Sequence, residues 1–255
     1  MKSLSLYQEG NSFVHNIDPI NKLIYIVAAI AITAIIPNEI SALACILVSF
    51  ILICNAKIFK KVMPIINFSL LILISIVIIQ GLFFPENKNV AFSIGKISFY
   101  KEGLYHAFLI CLRVINILCA FSILVLTTSP SDLIEELVQK GLSPKIGYVL
   151  SSVLQIIPQM TSTMETIMDA QKSRGMETEG KLTTRLKAFF PLIGPVVMNS
   201  LIATRERAIA LEVRGFSSTR QKTFLNERVY PKFNGVLRIS MILLIVAALV
   251  GRVVL

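Results

Sequence analysis

The chain is predicted to be an all-α polytopic membrane protein, with about five membrane-spanning helices and a cytoplasmic domain of long amphipathic helices. Three observations carry this. Of 255 residues, 55% are apolar and 16% charged, with a mean hydropathy of +0.73; a soluble domain of this size cannot hide that much apolar surface. Several runs nearly free of charge approach or reach the roughly 17–25 residues that cross a bilayer core. The 25 Lys+Arg, set against 15 Asp+Glu, are segregated along the chain. The same composition excludes a disordered chain and a disulfide scaffold.

The first span is expected over 20–36, with Lys22 snorkelling to the interface. Pro37-Asn38-Glu39 makes a turn, and the second and third spans follow as charge-free runs at 40–56 and 65–84. A fourth, 103–127, is interrupted by His106 and Arg113; Arg113 is assigned a structural role. A fifth, 236–255, carries Arg238 and Arg252 near its ends. Residues 1–127 thus form an N-terminal membrane region, 128–235 a cytoplasmic segment and 236–255 the last span. Lys2 and Lys22, then Lys57, Lys60 and Lys61, then the fifteen cations of 128–238 alternate with a poorer set, Lys88, Lys96, Lys101 and Arg252. The positive-inside rule therefore places the N-terminus and the large segment in the cytoplasm and the C-terminus outside. The net charge of +10 reads as topology; no aromatic-interleaved basic stripe points to nucleic acid. Residues 1–19 are polar and show no signal peptide. Cys45, Cys54, Cys111 and Cys119 all fall inside spans, match no metal spacing and read as small buried apolar side chains.

Within 128–235, Ser129-Pro130-Ser131-Asp132 opens a short helix that stops at Gly141. Ser143-Pro144 opens a second, whose apolar stripe runs Val149, Leu150, Val153, Leu154, Ile157, Met160, Met164, Ile167 and Met168. Pro158 is expected to kink or divide it. After a polar turn, Glu177–Lys181, a third stripe runs Leu186, Phe190, Ile193, Val197, Leu201, Ala208 and Leu211, bent at Gly194 and Pro195.

The two long helices end alike. Ala170-Gln171-Lys172-Ser173-Arg174-Gly175 and Ala210-Leu211-Glu212-Val213-Arg214-Gly215 each place Ala four residues before Arg-Gly, about 40 residues apart. Arg then Gly is ordinary helix-stop chemistry when it occurs once. Two copies, each closing a long amphipathic helix, present two cationic knobs and suit a two-fold partner.

These features resemble a known family. Ser12-Phe13-Val14-His15-Asn16-Ile17-Asp18-Pro19-Ile20-Asn21-Lys22-Leu23, Thr127-Thr128-Ser129-Pro130 and the paired Ser173-Arg174-Gly175 and Val213-Arg214-Gly215 are similar to the transmembrane T component of energy-coupling factor (ECF) transporters, over nearly the whole chain. The family tripeptide is usually Ala-Arg-Gly; Ser173 and Val213 depart from it. The resemblance implies a non-catalytic coupling subunit in a prokaryotic cell membrane, serving vitamin or transition-metal uptake. It implies two ABC-type ATPase partners that hold ATP–Mg, a membrane-embedded substrate-binding S component, and no cofactor on this chain. It assigns ATPase docking to Arg174 and Arg214 with Gly175 and Gly215. Ser173 and Val213 complete the tripeptides, and Ala170 and Ala210 stand one turn before. Contact with the S component is assigned to Met160, Met164 and Met168.

The chain has no P-loop, no H-E-x-x-H and no G-x-S-x-G. A membrane-bound enzyme with a cytoplasmic active site is the alternative. It would need acids converging with a His or Cys, which Glu135/Glu136, Glu177/Glu179 and Glu206/Glu212 do not provide. A stand-alone secondary transporter would need inverted repeats and broken spans.

Overall fold

The computed structural model describes residues 7, 8, 10, 12–36, 38–85, 89–94, 97–176, 182–218, 223 and 233–254. Among them run α1 (Pro19–Ile35), α2 (Glu39–Asn55), α3 (Phe59–Phe83), the strands β1 (Val90–Ile94) and β2 (Ile97–Tyr100), α4 (Lys101–Thr127), α5 (Pro130–Gln139), α6 (Pro144–Ser173), α7 (Leu182–Val213) and α8 (Phe233–Val254). The chain divides into two compact units, Met1–Glu136 with Arg228–Leu255, and Leu137–Glu227.

In the first unit, α3, α4 and α8 are each long and apolar enough to cross a membrane. The helices α1 and α2 have 17 residues each, about 26 Å, at the short end of the spanning range. The all-α membrane architecture holds. Helix α3 starts at Phe59, ahead of the apolar run, and carries Lys60, Lys61 and Pro64 in its opening turns; a helix need not stop at the hydrocarbon edge. Between α3 and α4 the chain forms the antiparallel pair β1–β2, with Phe92 opposite Phe99 and Ile94 opposite Ile97. This small hairpin lay outside the all-α expectation.

Helix α4 is the centre of the unit and packs against α1, α2 and α3, while α8 packs on α1. The core joins Val14, Ile53, Ala56, Ile58, Val62, Cys119, Ile123 and Leu126. Asn116, fully buried on α4, donates to the Ala29 carbonyl at 3.2 Å and accepts from Ser49 Oγ at 3.4 Å. Tyr25 Oη lies 2.6 Å from the same Ser49 Oγ. Inside a membrane, where lipid offers no hydrogen bonds, such a node holds three helices in one register. The outward faces are apolar: Ile40, Phe68, Leu71 and Phe83 are all largely exposed, as lipid-facing positions must be. Of the four cysteines expected to be buried, only Cys119 is, and Cys54 is exposed, because a spanning helix buries only the face it turns to its neighbours.

The second unit is built on α6 and α7, which pack together. Pro158 does not divide α6, and α7 continues through Pro191 and Pro195. The Glu177–Lys181 turn and the cations Lys2, Lys88 and Lys96 lie outside the described residues, as do Pro37 and the side chain of Leu186.

Candidate partner-docking site

Both long helices close with the same hydrogen bonds. At the end of α6, Gly175 N–H donates to the Lys172 carbonyl at 2.9 Å and Met176 N–H to the Gln171 carbonyl at 3.1 Å. At the end of α7, Gly215 N–H donates to Glu212 at 2.9 Å and Phe216 N–H to Leu211 at 3.0 Å. Each is a Schellman motif, with Arg174 or Arg214 in the cap position and a glycine at positive φ behind it. The φ values are 87° at Gly175 and 71° at Gly215. Helix α5 ends the same way at Lys140-Gly141-Leu142, with φ 118° at Gly141.

Ala170, Ser173, Arg174 and Gly175 are exposed, and so are Ala210, Val213, Arg214 and Gly215. Val213 is 83% exposed, unusual for an apolar residue at the end of a long helix. Each tip therefore presents a guanidinium fork, which always carries its charge, on an open surface.

The helices cross where Ile156, Gln159, Met160 and Thr163 of α6 meet Val196, Asn199, Ser200, Ala203, Thr204 and Arg207 of α7 around a cleft of 70 Å³. An Arg207 Nη2 hydrogen bond to Gln159 Oε1 spans it. Ile156 and Val196, Gln159 and Asn199, Met160 and Ser200, and Thr163 and Ala203 are each about 40 residues apart. This is the spacing of the two Arg-Gly ends. Each helix thus uses the same face, at the same distance from its own arginine, for the crossing.

Beyond the crossing the helices run in opposite senses. The Phe216 ring packs on Tyr148 near the start of α6, with centroids 5.3 Å apart. Tyr148 precedes Arg174 by about 26 residues of the same helix, about 39 Å along its axis. Arg174 and Arg214 therefore stand at opposite ends of the pair. The pair also carries an apolar surface: Val149, Val153, Ile157 and Met160 on α6, and Val197, Met198, Leu201 and Ile202 on α7, are exposed. Met160 sits both on this surface and at the cleft, whereas Met164 and Met168 are half-buried.

The membrane unit holds a second polar constellation, which the sequence does not join. Lys22 does not snorkel. It is 4% exposed, and its Nζ donates to the Thr127 carbonyl at 3.1 Å and to Thr128 Oγ1 at 3.0 Å. A cation there meets the negative end of α4. Asp18 Oδ1 accepts from Ile20 N–H at 2.8 Å, capping α1, while Asp18 Oδ2 accepts from Arg238 Nη2 at 3.1 Å. Arg238 Nε donates to Asn21 Oδ1 at 3.1 Å, and Asn21 Nδ2 donates to the Asn234 carbonyl at 2.9 Å. The segments Asp18-Pro19-Ile20-Asn21-Lys22 and Thr127-Thr128 are thus two sides of one clasp joining α1, α4 and α8. No local signal marks Lys22 as buried, because its partners Thr127 and Thr128 lie more than 100 residues along the chain. Just upstream, Ser12 Oγ lies 2.7 Å from His15 Nδ1, and His15 Nε2 donates to the Gln8 carbonyl at 3.1 Å. Gln8 N–H in turn donates to the Leu126 carbonyl at 3.0 Å. Arg113 is half-buried on α4.

The cobalt transport protein (CbiQ) family matches over residues 10–224. The energy-coupling factor transporter transmembrane protein EcfT of Streptococcus equi is 31% identical, covering 86% of this chain and 85% of its own length. The EcfT protein of Listeria innocua is also 31% identical, over 86% of each chain, and that of Lactococcus lactis is 28% identical over 93% of each. A shared profile across nearly the full length, together with the paired Arg-Gly helix ends, leaves one conclusion: the chain belongs to the CbiQ cobalt transport protein family, the T components of ECF transporters.

Proposed function

We propose that this chain is the non-catalytic coupling subunit of an ECF-type importer. Two ABC-type ATPases, which hold the ATP–Mg, receive its two arginine tips. A membrane-embedded S component, which binds the vitamin or transition-metal substrate, rests on the exposed apolar surface of α6 and α7. Met160 contributes to that surface, with Met164 and Met168 behind it. Closure of the ATPases on ATP moves the tips, the crossing angle of α6 and α7 changes, and the S component is reoriented. The observation that supports the reading is the duplicated end: two Arg-Gly caps, at equal distances past one crossing and at opposite ends of the helix pair, fit two copies of one groove.

An arginine held by charge-assisted hydrogen bonds contributes about 1.5–3 kcal/mol, or roughly 10- to 150-fold in affinity per tip. Arg174→Ala together with Arg214→Ala is expected to abolish co-purification of the ATPases and substrate uptake. Normal co-purification with normal uptake overturns the proposal.

The orientation proposed with it, N-terminus and α6–α7 in the cytoplasm and C-terminus outside, rests on the cation distribution. In a cysteine-free background, Ser218→Cys is expected to react with a membrane-impermeant maleimide only after cells are opened. Reaction in intact cells would reverse the topology.

A further inference from the structure

The membrane unit carries a groove separate from the α6–α7 pair. Helices α2 and α8 both pack on α1, and between them lies a cavity of 390 Å³. Its walls are Tyr25, Ala28, Ala29 and Ile32 of α1, Ser41, Ala44, Cys45 and Val48 of α2, and Ser240, Met241 and Leu244 of α8. A second cavity of 160 Å³ shares Tyr25, Val48 and Met241 with it and reaches Asn21 and Lys22. The two follow one another along α1, from the level of Asn21 and Lys22 to that of Ile32, and are treated as one groove.

Its walls are hydrocarbon in character. The hydroxyls that border it are engaged within the chain: Ser41 Oγ donates to the Asn38 carbonyl at 2.8 Å, Ser240 Oγ to the Leu237 carbonyl at 2.9 Å, and Tyr25 Oη lies against Ser49. Such a surface offers water and polar ligands nothing. From Lys22 to Ile32 the groove extends about 10 residues, about 15 Å along α1. That is the depth of one leaflet of a core roughly 30 Å thick. Beside its polar end, bonded to the wall residue Asn21, stands Arg238. Its Nε and one Nη2 hydrogen are used on Asn21 and Asp18, and its side chain is 35% exposed, which leaves three N–H donors of the fork for a ligand.

We infer that the groove binds one phospholipid of the leaflet at the Lys22 end. An acyl chain lies along Ala28, Ala29, Ala44 and Leu244, and the phosphate accepts from the remaining N–H groups of Arg238. The three features agree: an internally satisfied apolar wall, a depth of one leaflet, and a cationic fork where the headgroup falls. An anionic phospholipid is favoured, because basic sites between spanning helices on the cation-rich side attract negative headgroups.

The chain contains no tryptophan, which makes a clean test. Leu244→Trp reports on the groove, and Leu243→Trp, one residue along on a face outside it, reports on bulk lipid. The full chain is reconstituted into phosphatidylcholine vesicles, alone and with the subunits that co-purify, whose own fluorescence is subtracted. Brominated phosphatidylglycerol is then titrated in. Half-quenching at Leu244→Trp is expected at about a fivefold lower mole fraction than at Leu243→Trp. Brominated phosphatidylcholine is expected to narrow the gap, and Arg238→Lys, which keeps the charge but loses the fork, to close most of it. Equal quenching at both positions with both lipids overturns the site. Loss of quenching at Leu244→Trp alone, when partner subunits are present, overturns it in favour of a protein occupant. An unchanged gap in Arg238→Lys overturns the phosphate assignment.

Discussion

Gly175 and Gly215 show what a single residue contributes at a helix tip. An added Cβ would meet nothing within 4 Å at either position, so the demand for glycine is conformational: positive φ costs other residues roughly 1–2 kcal/mol. The turn it permits sends the chain away behind the arginine and leaves the fork clear. His15 is a residue whose neighbours decide its charge. Burial lowers its pKa below the usual imidazole value. The Gln8 carbonyl, which accepts from Nε2, opposes that shift, and the nearby Lys22 charge adds to it. The neutral ring is therefore the form the fold prefers. Its contribution is fully present above pH about 6.5 and is lost as pH falls through the lower folded value. Thermal melts of the wild type are expected to drop between pH 7.5 and 5.5 by more than those of His15→Gln; identical pH dependence would remove His15 from the account.

At the scale of elements, the unit of design is a helix with a fixed distance between crossing and tip. From Met160 to Arg174, and from Ser200 to Arg214, the chain runs about 14 residues, about 21 Å. Register then matters more than length. One alanine inserted after Ala170 turns Arg174 by about 100° and advances it about 1.5 Å, without touching the crossing or the cap. ATPase co-purification is expected to fall about tenfold or more, with helix content unchanged by circular dichroism. Four inserted alanines, which restore the facing to within about 40°, are expected to recover part of it. Equal behaviour of the two insertions would show that the tip's direction is irrelevant. The stop signals of these helices were legible in the sequence because Arg-Gly acts through its own backbone and the last turn. The shared crossing face was also encoded, in the 40-residue spacing of Ile156/Val196 through Thr163/Ala203, but only the folded helices decide which of several apolar and small positions meet.

For the molecule as a whole, the Asp18–Arg238 pair joins helices some 220 positions apart in the chain. Asp18 is buried while Arg238 is partly exposed, so solvent screening reduces the large penalty of breaking a fully buried pair. Asp18→Asn is expected to destabilise by about 1–2 kcal/mol, read as a lower thermal midpoint of the detergent-solubilised chain. Arg238→Gln should fall similarly, and the double substitution by less than the sum. Additive losses would mean that the two groups act separately. What the sequence by itself determined is whatever depends on neighbours in the chain: the all-α membrane class from apolar runs, and the helix ends from Ser-Pro starts and Arg-Gly stops. What only the tertiary structure decided is where lone polar residues go. Lys22 looked free to reach water because the end of α4 that it caps lies about 105 residues away. Asn116 and Arg238 likewise acquire meaning only from carbonyls and carboxylates on other helices. Hydrogen bonds inside a bilayer are settled by which helices are adjacent, and adjacency is not a local property of sequence.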